Sequence, residues 1–336
     1  MNDPMIYVRA IHFAATLTVA GVAFFVVLIA DPACRDAGKD TRVPAVIRFW
    51  LAWMMWAALA LAVLSGAAWF VLIAQAMSDS SLPDVFSADV LGTVLLRTGF
   101  GRDWLERLVL ACLVAGAYAQ LPPAGRGGSV WIKTGLVILG AAFVGTLAWA
   151  GHAAGGLGLE SFVHPAADVL HLVAAAAWVG MLVPLAMLLT AVGHDEASIV
   201  IARRATVRFS TLGIVSVATL LASGSINTWY LAGSVPALTG TNYGHLLLAK
   251  IALFLGMVLG MVAIAAVNRL RFTPRLVRGA GTAAGQDALR QLCRNAVVEV
   301  LVGAIIIAIV AVLGTNPPGL HQVATQPDAP THLHSH

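Results

Sequence analysis

Charge is what this sequence has least of. Asp, Glu, Lys and Arg make up 11% of its 336 residues, where a soluble domain carries about 25%. No polar stretch is long enough for a separate soluble domain, and no nucleic-acid partner is expected. Cysteine is scarce too: Cys34, Cys112 and Cys293 are too few and too scattered for a disulfide framework. No Cys-x-x-Cys or Cys-Pro-Cys lies in an apolar run, which removes the usual signature of a soft-metal pump, and no nucleotide-binding loop is there to drive one. A cleavable leader is not expected either. The first apolar run follows the weakly charged "MNDPMIYVRA", is long enough to span, and lacks a small-residue cleavage site. "DPAC", Asp31–Cys34, does not read as a lipoprotein box.

What is abundant is apolar. Hydrophobic residues reach 59% and the mean hydropathy is +0.86. Within lipid a chain must satisfy its own backbone hydrogen bonds, and apolar runs of this length do so only as helices. With about twenty residues needed per crossing, eight spans are predicted, near 5–30, 47–76, 104–121, 131–151, 165–190, 209–232, 244–267 and 295–313. The fold class expected is an all-α polytopic membrane protein. Residues 1–313 form one transmembrane helical domain, and 314–336 form a disordered tail containing Pro and His. The stretch from Leu82 to Trp104 is apolar but broken by charges and glycines, and reads as an amphipathic piece at the outer surface.

Orientation follows from Lys and Arg in short loops. The loops after spans one, three, five and seven carry fifteen of the twenty basic residues, among them Arg35, Lys133, Arg203 and Arg269. Both termini are therefore expected outside, which in a bacterium is the periplasm. On that topology nine of the ten histidines fall on the outer side, only His194 lying within.

One cluster stands out. In "GHAAGGLGLESFVHPAADVLHLVAAAAWVG", His152 ends span four while His164, Asp168 and His171 open span five. The spacing i, i+4, i+7 places the last three on one helix face, with Trp178 on the same stripe. Pro165 is expected at the first helical position, where its missing N–H is not needed. At about 1.5 Å per residue, His171 lies roughly 10 Å below His164. Imidazole nitrogens and a carboxylate suit copper, zinc, nickel or iron, and Asp168 fits either a ligand or the group that orients one. Polar side chains also hydrogen-bond between membrane helices. Three ionisable groups on one intramembrane face nevertheless favour function. His12, His245, Met5 and Met77 are additional outer-side candidates, the thioethers suiting Cu(I). Lys250 and Asn227 join Trp178 as pathway or supporting residues, against the plainer readings of snorkelling, helix contact and packing.

These residues resemble a known family, the copper resistance protein D (CopD) family of bacterial inner-membrane proteins. The resemblance is carried by "GHAAG" with "HPAADVLHLVAAAAWVGMLVPL", and by "YGHLLLAKIALFLGMVLGMVAIAAVNRLRFTPRL" with its Lys250, Asn268, Arg269 and Pro274 landmarks. "FSTLGIVSVATLLASGSINTWYL" and "LRTGFGRDWLERL" fit the segments between and before. It implies eight membrane helices and a role in copper homeostasis, moving copper across the inner membrane with a periplasmic CopC-type partner. Some relatives carry that partner as a fused β-domain, so here a separate one is implied.

The leading expectation is a non-enzymatic copper-binding protein of the bacterial inner membrane, with the lipid bilayer around it. Its outer site would be built from His152, His164, Asp168 and His171. Nitrogen and oxygen donors suit Cu(II); Cu(I) would call on the methionines or cysteines. Entry could draw on the membrane potential, about 2.3 kcal/mol per charge per 100 mV. Two other classes stay open. One is a membrane electron-transfer protein, such as a metal reductase, that holds haem b between paired histidines, His152 with His171 or His12 with His245. The other is a copper sensor or assembly factor without transport.

Overall fold

Asp3 and Pro4 start the first helix, the Asp3 carboxylate accepting from the Met5 N–H and Pro4 filling a first-turn position that needs no donor. The computed structural model describes residues 3–36, 45–78, 81–122, 128–150, 160–191, 196–267 and 283–317. Helix α1 (Pro4–Phe24) runs through a π-helical turn, Phe25–Ala30, into α2 (Asp31–Asp36). Next come α3 (Ala45–Ser78), the short α4 (Leu82–Val85) and α5 (Ala88–Arg97), and α6 (Gly99–Ala119). Then α7 (Val130–Gly145) ends in a 3₁₀ turn, Thr146–Ala150. The remainder is α8 (Glu160–Ala191), α9 (Glu196–Ala232), α10 (Val235–Gly240), α11 (Asn242–Val267) and α12 (Ala283–Leu313). Among the described residues there is no strand, so the chain has the all-α polytopic fold expected.

Among the described residues seven helices are long and apolar enough to cross a membrane: Pro4–Arg35, Ile47–Ser78, Val130–Trp149, Phe162–Ala191, Ser198–Ala232, Asn242–Gly260 and Cys293–Leu313. They match seven of the eight expected spans. The remaining one, 104–121, is helical as α6, but Arg102, Asp103, Glu106 and Arg107 charge its first half and leave only Leu108–Ala119 uncharged.

Pro165 departs from expectation. Helix α8 begins at Glu160, five residues earlier, so the proline lies inside the helix, as does Pro184. One interior backbone bond is lost at each, which packed membrane helices tolerate because neighbouring groups satisfy the freed carbonyls.

Helix α1 is the hub, packed against α3, α7, α8 and α12. It meets α8 backbone to backbone at Gly21 and Gly180; a Cβ on Gly180 would stand 2.7 Å from the Leu17 carbonyl oxygen. Small residues at such a crossing let van der Waals contact replace the missing hydrophobic drive in lipid. Trp178, Met181, Leu182 and Leu188 of α8 are fully buried beside it. Gly233, in the left-handed region at φ 67°, ends α9 and turns the chain into α10. Thr241 then caps α11 by accepting from the Gly244 N–H at 2.9 Å. The starts of α1, α8 and α11 and the ends of α9 and α12 thus share one end of the bundle. At the other end, Asp31 is held by Lys133 of α7 at 2.8 Å and by Arg35 at 3.0 Å.

Candidate functional site

The starts of α8 and α11 enclose a cavity of about 210 Å³ with the start of α1 and the ends of α9 and α12. Helical spacing turns His164, Asp168 and His171 of α8 toward it, and all three line it. Asn227 of α9, Tyr243 and Lys250 of α11, and Arg9 of α1 complete its polar wall, while Phe13, Leu172, Val310 and Leu313 are among its apolar neighbours.

Each of these three groups on α8 has a partner from α9. Asn227 Nδ2 donates to Asp168 Oδ1 at 2.8 Å. The His164 ring stacks on Tyr230, centroids 5.1 Å apart and planes 15° from parallel. His171 Nδ1 lies 3.1 Å from Ser223 Oγ. The Ser223 hydroxyl itself donates to the Thr219 carbonyl at 2.6 Å, so at His171 it must accept. Nδ1 therefore carries the proton, and the Nε2 lone pair is left for another partner. Gly224, beside Ser223, permits this approach: a Cβ there would stand 3.4 Å from His171 Cε1.

A second, mainly apolar cavity of about 490 Å³ lies between α9, α11 and α12, lined by Trp229, Phe254, Met257 and Gly303. His171 and Lys250 line both cavities and so mark the place where they adjoin. Lys250 is turned into these cavities, not extended along the lipid face.

His12, His245, Met5, Met77 and Trp178, the other candidates among the described residues, do not line the polar cavity. His12 is 3% exposed between α1 and α3, its Nδ1–H donating to the Ala62 carbonyl at 3.0 Å and its ring edge-on to Trp69. It borders a crevice of about 10 Å³ with Trp104 and Arg107. His245 is exposed, with Nε2–H donating to the Thr239 carbonyl at 2.8 Å. Met5 packs against the core and Met77 is exposed. Trp178 is buried below the cavity, edge-on to Phe254. His152, His194 and the histidines of the tail lie outside the described residues. Among the described residues no three His, Cys, Asp or Glu side chains converge as a ready-made metal site.

Sequence reasoning passed over Arg9, Tyr230, Tyr243 and Ser223. Arg9 carried a signal: it is an arginine two turns into an apolar run, three residues before His12. Ser223 carried none, because its part depends on α9 crossing α8 at that height.

Two family models match the chain: Copper resistance protein D over residues 203–313, and the Copper resistance protein D-like N-terminal domain over residues 1–162. Copper resistance protein D of Pseudomonas syringae pv. tomato is 30% identical over 326 residues, 95% of this chain and 98% of that protein. Inner membrane protein YebZ of Escherichia coli (strain K12) is 30% identical over 313 residues, 93% of this chain and 98% of that protein. Copper transport protein CutJ of Bacillus subtilis (strain 168) is 29% identical over 189 residues, 56% of this chain and 34% of that protein. No solved structure matches the chain. Seven apolar helices among the described residues, and a match to the first two relatives over more than nine tenths of the chain, lead to one assignment: the chain belongs to the copper resistance protein D family.

Proposed function

We propose that this protein is a multi-pass inner-membrane transporter of copper, taking the ion from the periplasmic side into the cavity lined by His164, Asp168 and His171. The observation that carries the reading is that these three side chains line one cavity inside the bundle, with the Nε2 lone pair of His171 left open by the Ser223 bond. The relatives support the copper assignment: one is named for copper resistance and one for copper transport. The name of a third supports the inner membrane.

The donors are held apart by ordinary partners, Asn227 on Asp168 and Tyr230 on His164. A transported ion must bind well enough to enter and loosely enough to leave. A site that exchanges hydrogen bonds for coordination meets both demands better than a rigid cage. Onward movement leads past His171 and Lys250 into the second cavity. Nitrogen and oxygen donors favour Cu(II) at the entry, and a separate CopC-type periplasmic protein is the expected donor. Positive charge gathered at the Asp31 end supports a cytoplasmic position for that end, with both termini outside.

Metal analysis of the detergent-purified protein, with an absorption spectrum on the same sample, tests the reading. Near-stoichiometric copper without a Soret band, lost in His164→Ala, is the expected result. A Soret band would reassign the histidines to haem b and overturn it. Copper accumulation in cells with and without the protein separates a transporter from a sensor or assembly factor.

A further inference from the structure

The polar cavity holds more positive charge than a cation site calls for. Among the described residues Asp168 is the only carboxylate that lines it, yet Arg9 and Lys250 line it as well. Arg9 is 7% exposed, and its Nε has no hydrogen-bond partner. Among the described residues no carboxylate lies within ion-pair distance of either cation. The guanidinium rests over the rings of Trp69 at 4.9 Å and Phe13 at 5.5 Å. Such contacts use its face and leave its in-plane N–H donors free. It is also seated closely against the end of α12: a side chain at Gly314 would overlap it. The cation is thus held at the cavity by packing from three sides, with donors to spare.

A bare divalent ion placed beside these groups leaves an excess of buried positive charge. That holds even with both imidazoles and Lys250 neutral, because Arg9 keeps its charge and Asp168 offers one negative charge. Uncompensated charge inside a bundle is costly. A small anion lowers that excess by one charge and satisfies the free donors together. We propose that Arg9 and Lys250 form a small-anion site in the wall of the metal cavity, so that copper is held there with a halide or a carboxylate anion. The cargo in this statement rests on the copper reading above; the anion site rests on Arg9 and Lys250 themselves. The anion is small because about 210 Å³ must also admit the metal. A guanidinium fork and an ammonium that line one cavity suit either a carboxylate or chloride.

The test uses the full chain in detergent, titrated with copper nitrate in a non-coordinating buffer while chloride or acetate is varied. Either anion should tighten copper binding about tenfold, the worth of one charge-assisted hydrogen bond, and the more effective one identifies the class. Arg9→Gln should bind copper with no anion dependence, and Arg9→Lys should keep part of it. Equal copper affinity at every anion concentration, with folded Arg9→Gln unchanged or tighter, overturns the anion site and leaves the copper reading standing. If the wild type binds no copper at all, the copper reading fails, and chlorine-35 NMR of the metal-free protein decides the anion site alone. Line broadening lost in Arg9→Gln and Lys250→Gln supports it; no broadening in the wild type overturns it. Lys250→Gln gives the same readouts should Arg9→Gln not fold.

Discussion

Asn227 Nδ2 donates to Asp168 Oδ1 at 2.8 Å, joining α9 to α8 beside the polar cavity. The bond holds a carboxylate inside the bundle that has no ion pair among the described residues. Asn227→Leu should therefore cost about 2 kcal/mol, the scale of a hydrogen bond to a charged group. Asp168→Asn should recover part of that loss in the double variant, since the pair is coupled. Thermal unfolding of the four proteins in one detergent measures the coupling; additive losses would show that the contact carries no energy.

His171→Ala should abolish copper binding, and Ser223→Ala should weaken it about tenfold. The second effect follows from the tautomer: without the Ser223 oxygen, the Nδ1–H that keeps the Nε2 lone pair available has no acceptor. Copper titrations of the two variants, each checked for membrane insertion, give the comparison. Wild-type affinity in Ser223→Ala would remove it from the site.

Gly180→Ala should destabilise the bundle by about 3 kcal/mol, the upper part of the range for overpacking. The added methyl stands 2.7 Å from the Leu17 carbonyl, a backbone atom that cannot move aside without shifting α1. Gly256→Ala on α11 meets open space and serves as the silent control. Unfolding midpoints of the two variants should differ clearly.

Lys133→Met should cost about 2 kcal/mol, because Asp31 is buried while its second cation, Arg35, is more exposed. Copper binding should be untouched, since the pair occupies the end of the bundle away from the cavity. A variant that loses copper binding while remaining folded would couple the two ends.

A phosphatase reporter that is active only outside the cytoplasm should be active when fused after Leu313 and inactive in the basic segment near Arg271. Activity at both or neither would contradict the orientation drawn from basic loops.

Much of this was legible without coordinates. Apolar length alone located the helices, because lipid leaves a chain of this composition no other way to satisfy its backbone. Periodicity alone put His164, Asp168 and His171 on one face, and they do share a cavity. The start of α8 was less legible: Pro165 looked like a first-turn residue, but Glu160 to His164 continue the helix ahead of it. Outer-side depth also failed to separate the histidines. His12 and His245 lie on the same side as His164, but His12 is bonded to α3 and His245 to Thr239, off the cavity.

What the sequence determined by itself is therefore the set of helices, their expected sense through the membrane and the polar face of α8, all of which depend on composition and spacing along one segment. Only the tertiary structure decided which segments face that stripe. It brought Asn227 to Asp168, Ser223 to His171, and Arg9 and Lys250 into the same cavity. Those juxtapositions depend on how α1, α9 and α11 cross α8. The crossings are set by contacts between distant residues, such as Gly21 with Gly180, that leave no periodic mark on either helix alone.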